Sequence, residues 1–224
     1  MSYASQSCQL PGKRKSHYCY HNGVTSASNK SFPGLLRTLF LDRDGVLNEK
    51  MPEGRYVTSW EEFHLLPGVA EVIGRLNCAG LRVVVVSNQR GIALGLYASV
   101  DVEAIQSALQ KFLKEHKAHV DGFYFCPHDK GQCNCRKPLS GLFEQAVAEF
   151  PEITAETSAM IGDSYSDIEF GRRLGMLTVF IEGDPERRKP GGEAASELAD
   201  LRFSSLAEAV DGLLANRLTA NAQD

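Results

Sequence analysis

Two carboxylates separated by a single residue, Asp42 and Asp44, are the first side chains of the 224-residue sequence whose spacing suggests chemistry. A carboxylate can attack phosphorus and form an aspartyl-phosphate, and a second carboxylate nearby can act as general acid and base. Gly45 follows the pair and favours the turn that would aim both groups at one site. Solvated turn aspartates are the alternative, and the pair alone does not decide between the two interpretations.

Three further polar clusters carry residue types that suit phosphate chemistry. The Ser87 hydroxyl, with the backbone N–H groups around it, could hold phosphate oxygens. Lys137 could offset charge on a transferring phosphoryl group, and Asp163 could supply a hard oxygen ligand for Mg²⁺. Asp167, one helical turn further, could assist that Mg²⁺ site or cap a helix. Taken singly, each cluster is also explained by ordinary turn or solvated-loop residues.

A cysteine-rich segment places Cys126, His128, Cys133 and Cys135 within ten residues. This Cys₃His set suits tetrahedral zinc, and four protein ligands leave no open position, so we expect a structural Zn²⁺ ion. A local disulfide with one free thiol is the alternative. We expect no secretion signal in this sequence, and reduced thiols then favour zinc. Because Lys137 follows two residues after Cys135, zinc would fix the segment that presents this lysine.

Positioning these clusters requires a sheet whose strands end beside them. Apolar runs alternate with helical patterns from about residue 35, and the valine run 83–86 is typical of a strand buried on both faces. This order predicts an α/β fold, a Rossmann-like three-layer sandwich with a mostly parallel sheet. Ligands bind beyond the carboxyl ends of such strands. The predicted strands are 36–41, 81–86, 122–126, 159–161 and 177–181, and the predicted helices are 69–76, 100–116, 142–150, 168–174 and 206–214.

The charge of the chain is unevenly distributed. The first 37 residues contain five basic and no acidic residues, and the remaining 19 basic and 28 acidic residues give a net charge of −9. We expect a disordered extension over residues 1–34 and one catalytic domain over residues 35–224. The acidic domain argues against a nucleic-acid partner. No apolar stretch approaches the ~18 residues of a membrane span, so we expect a cytoplasmic protein, and a monomer.

The order of the four clusters, each at a predicted strand end, resembles the four-motif signature of the haloacid dehalogenase superfamily of phosphatases. The resemblance runs from about Leu36 to Phe180 and leaves the N-terminal extension outside it. It implies a Mg²⁺-dependent phosphomonoester hydrolase that works through an aspartyl-phosphate. Only 42 residues separate Asp44 from Ser87, so no large cap domain is expected and the site should be open.

The same resemblance implies a role for each motif residue. Asp42 would be the nucleophile and Asp44 the general acid and base. Asp42, the backbone carbonyl of Asp44, and Asp163 would hold Mg²⁺. Ser87 and Lys137 would grip the phosphoryl oxygens. Positive charge is needed there because an anionic nucleophile must approach an anionic phosphate.

The cysteine-rich loop narrows the resemblance. Since it runs into Cys-Arg-Lys-Pro, it resembles the subgroup that contains heptose-bisphosphate 7-phosphatases and histidinol-phosphate phosphatase domains. Three departures leave the substrate open: the short loop between His128 and Cys133, Leu94 in place of a usual arginine, and Ser164 in place of a frequent lysine. Precedent in this subgroup implies the following substrate contacts: Lys50, Glu53, Asn88, Gln89, Arg90 and Arg136.

The leading hypothesis for the substrate is a sugar bisphosphate, a heptose 1,7-bisphosphate hydrolysed at its 7-phosphate. Histidinol phosphate, or another small phosphomonoester, is the alternative. A bisphosphate needs two basic subsites, whereas the amine of histidinol phosphate needs an acidic one. A DNA-end phosphatase and a non-catalytic zinc-stabilised binding protein are the remaining hypotheses. The acidic domain argues against the first, and the complete motif set argues against the second.

Overall fold

A computed structural model of the chain describes residues 36–184 and 191–220. The extension predicted for residues 1–34 lies outside the described residues. The strands are β1 (Thr38–Leu41), β2 (Arg82–Asn88), β3 (Gly122–Cys126), β4 (Ser158–Gly162), β5 (Leu177–Ile181) and β6 (Leu201–Phe203). The helices are α1 (Val69–Cys78), α2 (Arg90–Ala93), α3 (Ser99–Glu115), α4 (Gly141–Glu149), α5 (Tyr165–Leu174), α6 (Gly192–Leu198) and α7 (Leu206–Ala220).

The strands form one sheet in the order β3-β2-β1-β4-β5-β6. Leu41 at the end of β1 pairs with Val85 of β2 on one side and with Ile161 of β4 on the other. The chain therefore builds outward from β1 in one direction and then returns to β4 in the other, which leaves a crevice at the carboxyl ends of these two strands. The predicted α/β fold is confirmed. Every pairing between the described strands is parallel, where the sequence predicted a mostly parallel sheet.

Side chains alternate across the sheet, so each face needs a helix layer of its own. On one face Leu39 and Leu41 pack in a core to which α1, α3 and α7 contribute. On the other face Phe40 packs with residues of α4 and α5, and Phe180 packs with residues of α6. These layers are the predicted three-layer sandwich.

Helix α1 illustrates how the apolar spacing produces a helix at this place. Its buried residues are Val69, Val72, Ile73 and Leu76, which lie on one stripe of a helical surface. Gly80 follows the helix end with a φ of 69°, a conformation that costs glycine no Cβ clash. The predicted helix and its glycine stop are both confirmed.

Among the short elements that the sequence did not predict are α2, α6 and β6. With four, seven and three residues, they are too short to show a periodic apolar pattern. Residues 42–68, which connect β1 to α1, contain turns and isolated bridges and no separate cap domain. No helix within residues 36–184 and 191–220 combines the length and apolar character needed to cross a membrane.

Candidate active site

The carboxyl ends of three adjacent strands bring the predicted motif residues together. Asp42 directly follows β1, and its backbone N–H donates to the Ile161 carbonyl of β4 at 2.9 Å. Ser87 is the penultimate residue of β2, and Asp163 directly follows β4. Because β2, β1 and β4 are neighbours in the sheet, the polar clusters border one crevice, as the sequence predicted.

Lys137 reaches this crevice from the loop between β3 and α4, and it is only 2% exposed. Its Nζ donates to Asp42 Oδ1 at 2.8 Å and to the Val86 carbonyl at 2.7 Å. It also forms an ion pair with Asp167 Oδ1 at 2.6 Å. Burial by itself lowers the pKa of Lys137, but the charges of Asp167 and Asp42 outweigh burial and raise the pKa. A charged ammonium is therefore held where a phosphoryl group needs a cation.

Asp42 is a carboxyl group in an electrostatically unfavourable place. Burial and the charge of Asp167 raise the pKa of Asp42 to about 6, although Lys137 opposes them. The charges of Asp163 and Asp44 raise the pKa further. An ionised Asp42 at neutral pH is thus stabilised by additional positive charge in the crevice.

A carboxylate cluster is formed by Asp42, Asp163 and Asp167. One ligand oxygen from each residue lies within 4.8 Å of the others, close enough to share a metal ion. Carboxylate oxygens are hard ligands of the kind that Mg²⁺ prefers. The Lys50 ammonium contacts Asp163 Oδ2, so the cluster already attracts a positive group. The donor set therefore fits a divalent cation.

Asp167 has two functions in the structure, including the capping role that the sequence left open. Its Oδ2 accepts from the Ser164 backbone N–H at 3.1 Å and from Ser164 Oγ at 2.5 Å, which caps the first turn of α5. Its Oδ1 faces the ammonium of Lys137. A Cβ on Gly162 would overlap the Asp167 side chain, so glycine is required for this approach. One buried carboxylate thus joins a helix start to the lysine.

The Asp44 carboxylate accepts hydrogen bonds from three neighbouring side chains. Arg43 Nη2 lies 3.0 Å from both of its oxygens, Asn48 Nδ2 donates at 3.1 Å, and Gln89 Nε2 donates at 3.3 Å. Arg43 is itself buried, with its guanidinium 5.7 Å from the centre of the Phe63 ring. The Asp44 side chain remains 26% exposed, so it can meet a substrate oxygen.

Asn88 fastens the lysine loop to the end of β2. Its Nδ2 donates to the Lys137 carbonyl at 3.1 Å, and the Lys137 backbone N–H donates to Asn88 Oδ1 at 3.0 Å. Hydrogen bonds to both the N–H and the carbonyl of Lys137 fix the backbone of this residue more firmly than one bond would. Asn88, expected to contact substrate, therefore also positions the backbone of the motif lysine.

A second candidate metal site is the Cys₃His cluster of Cys126, His128, Cys133 and Cys135. Neighbouring ligand atoms lie 3.3–3.7 Å apart. Zinc–sulfur bonds of about 2.3 Å would place the sulfurs of a tetrahedron about 3.8 Å apart, so the donor atoms are spaced for an ion of this size. No two of the three sulfurs are bonded to each other, which favours zinc over the alternative of a local disulfide.

The Cys₃His cluster is continuous with the lysine loop. The Arg136 backbone N–H donates to Cys133 Sγ at 3.4 Å. Burial raises the pKa of Cys133, but this N–H and the neighbouring thiols outweigh burial and lower the pKa to about 7. The thiolate is the form that binds a metal. The cluster and Asn88 thus hold the segment of Lys137 from two sides.

Known proteins resemble this chain in sequence and in fold. A family profile described as HAD-hydrolase-like matches residues 134–209. The chain is 38% identical over 171 residues to the D-glycero-alpha-D-manno-heptose-1,7-bisphosphate 7-phosphatase of Mycobacterium tuberculosis, a match that covers 76% of this chain and 87% of that protein. The chain belongs to the haloacid dehalogenase-like phosphatases. The family membership inferred from the four motif clusters is therefore confirmed.

Two further comparisons agree with this membership. The chain is 37% identical over 155 residues to the D-glycero-beta-D-manno-heptose-1,7-bisphosphate 7-phosphatase of Pseudomonas putida, which covers 68% of this chain and 86% of that protein. The solved D,D-heptose 1,7-bisphosphate phosphatase from B. bronchiseptica, complexed with magnesium and phosphate, superposes with a TM-score of 0.71 at 28% identity. That match covers 81% of this chain and 99% of the solved one. The fold of this haloacid dehalogenase-like phosphatase is thus shared over nearly the whole neighbouring structure.

The predicted substrate contacts of this haloacid dehalogenase-like phosphatase lie in different surroundings. Arg90 makes two hydrogen bonds to Asp129, at 2.6 and 3.1 Å. Arg136 Nη1 donates to the His128 carbonyl at 3.4 Å. Glu53 is exposed. The two arginines therefore border the Cys₃His loop.

Tyr97 is a residue of this haloacid dehalogenase-like phosphatase that sequence reasoning missed. Its hydroxyl donates to Gln89 Oε1 at 2.7 Å, and the residue is only 9% exposed. It lies in the loop after α2, where no motif drew attention to it. The sequence feature associated with this contact is Gly91, because a Cβ at that position would overlap the Tyr97 ring.

Proposed function

We propose that this phosphatase hydrolyses the 7-phosphate of D-glycero-D-manno-heptose 1,7-bisphosphate through an aspartyl-phosphate on Asp42. The observation that carries the reaction is the buried ion pair of Lys137 with Asp42 and Asp167 at the carboxyl ends of the central strands. The relatives named heptose-1,7-bisphosphate 7-phosphatases supply the substrate class.

In the first step, an Asp42 carboxylate oxygen attacks the phosphorus and the bond from phosphorus to the sugar oxygen breaks. Asp44 donates a proton to the leaving oxygen. Lys137, 2.8 Å from Asp42 Oδ1, offsets the repulsion between nucleophile and phosphate. The Ser87 hydroxyl holds a phosphoryl oxygen.

In the second step, water attacks the phosphorus of the aspartyl-phosphate and releases inorganic phosphate. Asp44, ionised after the first step, takes the proton from this water. Its partial exposure gives water access, while Arg43 and Asn48 keep its carboxylate in place. One residue thus serves as acid and then as base.

Mg²⁺ belongs to the proposal as the catalytic metal. Asp42, Asp163 and the backbone carbonyl of Asp44 would hold it, and Asp167 lies close enough to assist. When bound, the ion neutralises charge on the phosphate and so lowers the barrier to nucleophilic attack. Since Lys50 contacts Asp163, a bound cation competes with the Lys50 ammonium for this carboxylate.

Structural Zn²⁺ in the Cys₃His cluster is the second metal of the proposal. Elemental analysis of the purified full chain should find about one zinc per chain. Cys133→Ser should lose the ion and, because the cluster leads into Lys137, lose activity as well. An exposed serine elsewhere serves as control, and Ser205→Ala should keep its zinc. A wild-type protein without zinc would overturn this assignment.

The proposed substrate is a small molecule, and the protein a cytoplasmic monomer. An uncapped crevice admits a sugar phosphate without a domain movement. The net charge of −9 outside the first 37 residues disfavours a DNA end, which is a polyanion. Arg90 and Arg136, which border the Cys₃His loop, are candidates for the second phosphate.

A panel of phosphate esters tests the substrate. It contains both anomers of D-glycero-D-manno-heptose 1,7-bisphosphate, histidinol phosphate, other sugar phosphates and a phosphorylated oligonucleotide. We expect the highest kcat/KM for one heptose bisphosphate anomer, with release of the 7-phosphate and a requirement for Mg²⁺. Asp42→Asn, which keeps the shape of the side chain, should abolish turnover. A higher kcat/KM for histidinol phosphate would overturn the substrate assignment, and full activity of Asp42→Asn would overturn the mechanism.

A further inference from the structure

A buried hydrogen-bond chain leads from Tyr97 to the two groups that face the leaving oxygen and the phosphate. Tyr97 donates to Gln89 Oε1 at 2.7 Å. Gln89 Nε2 contacts Ser87 Oγ and donates to Asp44 Oδ2 at 3.3 Å. Gln89 is only 1% exposed, so its amide is surrounded by protein rather than by solvent.

The orientation of the Gln89 amide follows from the chemistry of its neighbours. In its ionised form, which the second step of the reaction requires, the Asp44 carboxylate can only accept hydrogen bonds, so the NH₂ end of the amide faces it. The oxygen end then faces Tyr97, whose hydroxyl can donate. With the amide reversed, its oxygen would face the Asp44 carboxylate, and two acceptors would repel each other. The Tyr97 hydroxyl therefore favours the orientation that presents N–H groups to Asp44.

The ring of Tyr97 is held firmly enough to serve this purpose. It packs against the backbone at Gly91, where a Cβ would overlap it, and its centre lies 5.8 Å from the centre of the Tyr56 ring. Burial raises the pKa of Tyr97 to about 12, so the hydroxyl remains a donor at all ordinary pH values. The Gln89 backbone N–H donates to the Cys126 carbonyl at 2.8 Å, which fixes the other end of the residue.

We propose that Tyr97 and Gln89 form a positioning pair, in which the Tyr97 hydroxyl fixes the Gln89 amide so that Asp44 is aimed at the leaving oxygen. This inference rests on the proposed two-step reaction but not on the identity of the sugar. It assigns to Gln89 an action through Asp44 rather than a direct contact with substrate. Neither residue exchanges a proton with substrate in this scheme.

The dependence of the rate on the leaving group tests this pair. An alkyl phosphate releases an alkoxide and needs the proton of Asp44, whereas p-nitrophenyl phosphate releases a phenolate that leaves without one. We use kcat/KM because it covers the steps up to loss of the first product. Tyr97→Phe should lower kcat/KM about tenfold for the best alkyl phosphate of the panel and less than twofold for p-nitrophenyl phosphate. The tenfold loss is part of the ~10²–10⁴-fold acceleration that general acid catalysis supplies.

Tyr124→Phe is the matched control. Tyr124 is also 9% exposed and donates to Glu149 Oε2 at 2.7 Å, but Glu149 ends α4 and lies in no motif cluster. Its loss should leave kcat/KM unchanged for both esters. Equal losses in Tyr97→Phe for both esters, or the same behaviour in the two tyrosine variants, would overturn the proposal.

A double-mutant comparison separates action through Gln89 from a general effect on the fold. Gln89→Leu removes the amide that connects Tyr97 to Asp44. If the pair acts as one unit, adding Tyr97→Phe to Gln89→Leu should lower kcat/KM by less than twofold more. Independent, multiplying losses would refute the coupling. Failure of the heptose assignment can be distinguished from failure of the Tyr97–Gln89 pair. The first appears as a different best substrate of the wild type in the ester panel, and the double-mutant comparison then uses that alkyl phosphate instead.

Discussion

Replacing the proposed nucleophile by its neutral isostere, Asp42→Asn, should abolish turnover and at the same time stabilise the fold at neutral pH. In the absence of Mg²⁺, burial and the charge of Asp167 raise the pKa of Asp42 from 3.8 to about 6. The ionised carboxylate is therefore less favourable in the folded chain than in the unfolded one. Asparagine removes the charge, and its Oδ1 can still accept the hydrogen bond from Lys137.

The size of the effect follows from the shift in the pKa of Asp42. A rise of about two units corresponds to about 3 kcal/mol, at about 1.4 kcal/mol per unit. The folded state binds this proton more tightly, so the free energy of unfolding falls as the pH rises from about 4 to about 6. The destabilisation caused by the Asp42 charge is complete above that range, is about half as large near pH 5 and vanishes below about pH 4. For a domain of this size, ~3 kcal/mol corresponds to roughly 6–12 °C in Tm.

Urea and thermal unfolding in Mg²⁺-free buffer at pH 7.5 and pH 5 measure the difference. Asp211→Asn is the control, since Asp211 is a surface carboxylate that is 63% exposed and paired with Arg75. It should change the free energy of unfolding by less than about 1 kcal/mol at both pH values. Saturating Mg²⁺ should narrow the gap, because it stabilises the wild type more than the variant. An Asp42→Asn protein no more stable than wild type at pH 7.5, or equally stabilised at both pH values, would refute the reasoning.

Two further substitutions test the carboxylate cluster. Lys137→Met should lower kcat by about 10²–10³-fold and destabilise the fold by about 3 kcal/mol, because two buried carboxylates lose their counter-ion. Steady-state kinetics measures the first effect and urea unfolding the second. Unchanged stability would contradict the buried pairing. Gly45 has a φ of 98° and a Cβ there would overlap the Asp163 carboxylate, so Gly45→Ala should raise the Mg²⁺ concentration for half-maximal activity at least tenfold. Gly54→Ala, at a φ of 80° but in open space, should leave it unchanged, and equal shifts in both variants would count against Asp163 as a metal ligand.

The fold and the catalytic motifs could be read from the sequence because each leaves a local signal. The valine run of β2 identifies a strand buried on both faces, and the position of a polar cluster after a strand identifies the edge of the sheet at which it lies. The Cys₃His set is equally local, since its ligands lie within one short loop. Elements α2, α6 and β6 escaped prediction because they are too short to show a period.

The connections between side chains could not be read in the same way. Tyr97 reaches Gln89 by a fold of the loop after α2, and nothing in the local sequence specifies that contact. The burial of Arg43 against Asp44 depends likewise on the path of residues 42–68. Asp167 carries a helix-capping pattern that is common in any helix, so only its distance to Lys137 distinguishes its second role. Such contacts are decided by tertiary packing rather than by composition or periodicity.

Strand β1 has a consequence for how the molecule can fluctuate. All four of its residues are buried, and it is hydrogen-bonded to a neighbour on each side. Amide hydrogens in such a strand exchange with solvent only when the whole domain opens, whereas peripheral loops open far more often. Asp42, the proposed nucleophile, is therefore attached to a unit that opens slowly, whereas the loops proposed to contact the rest of the substrate belong to units that open faster. Substitutions in those loops can therefore alter which ester is accepted without changing how often the strand that precedes Asp42 opens.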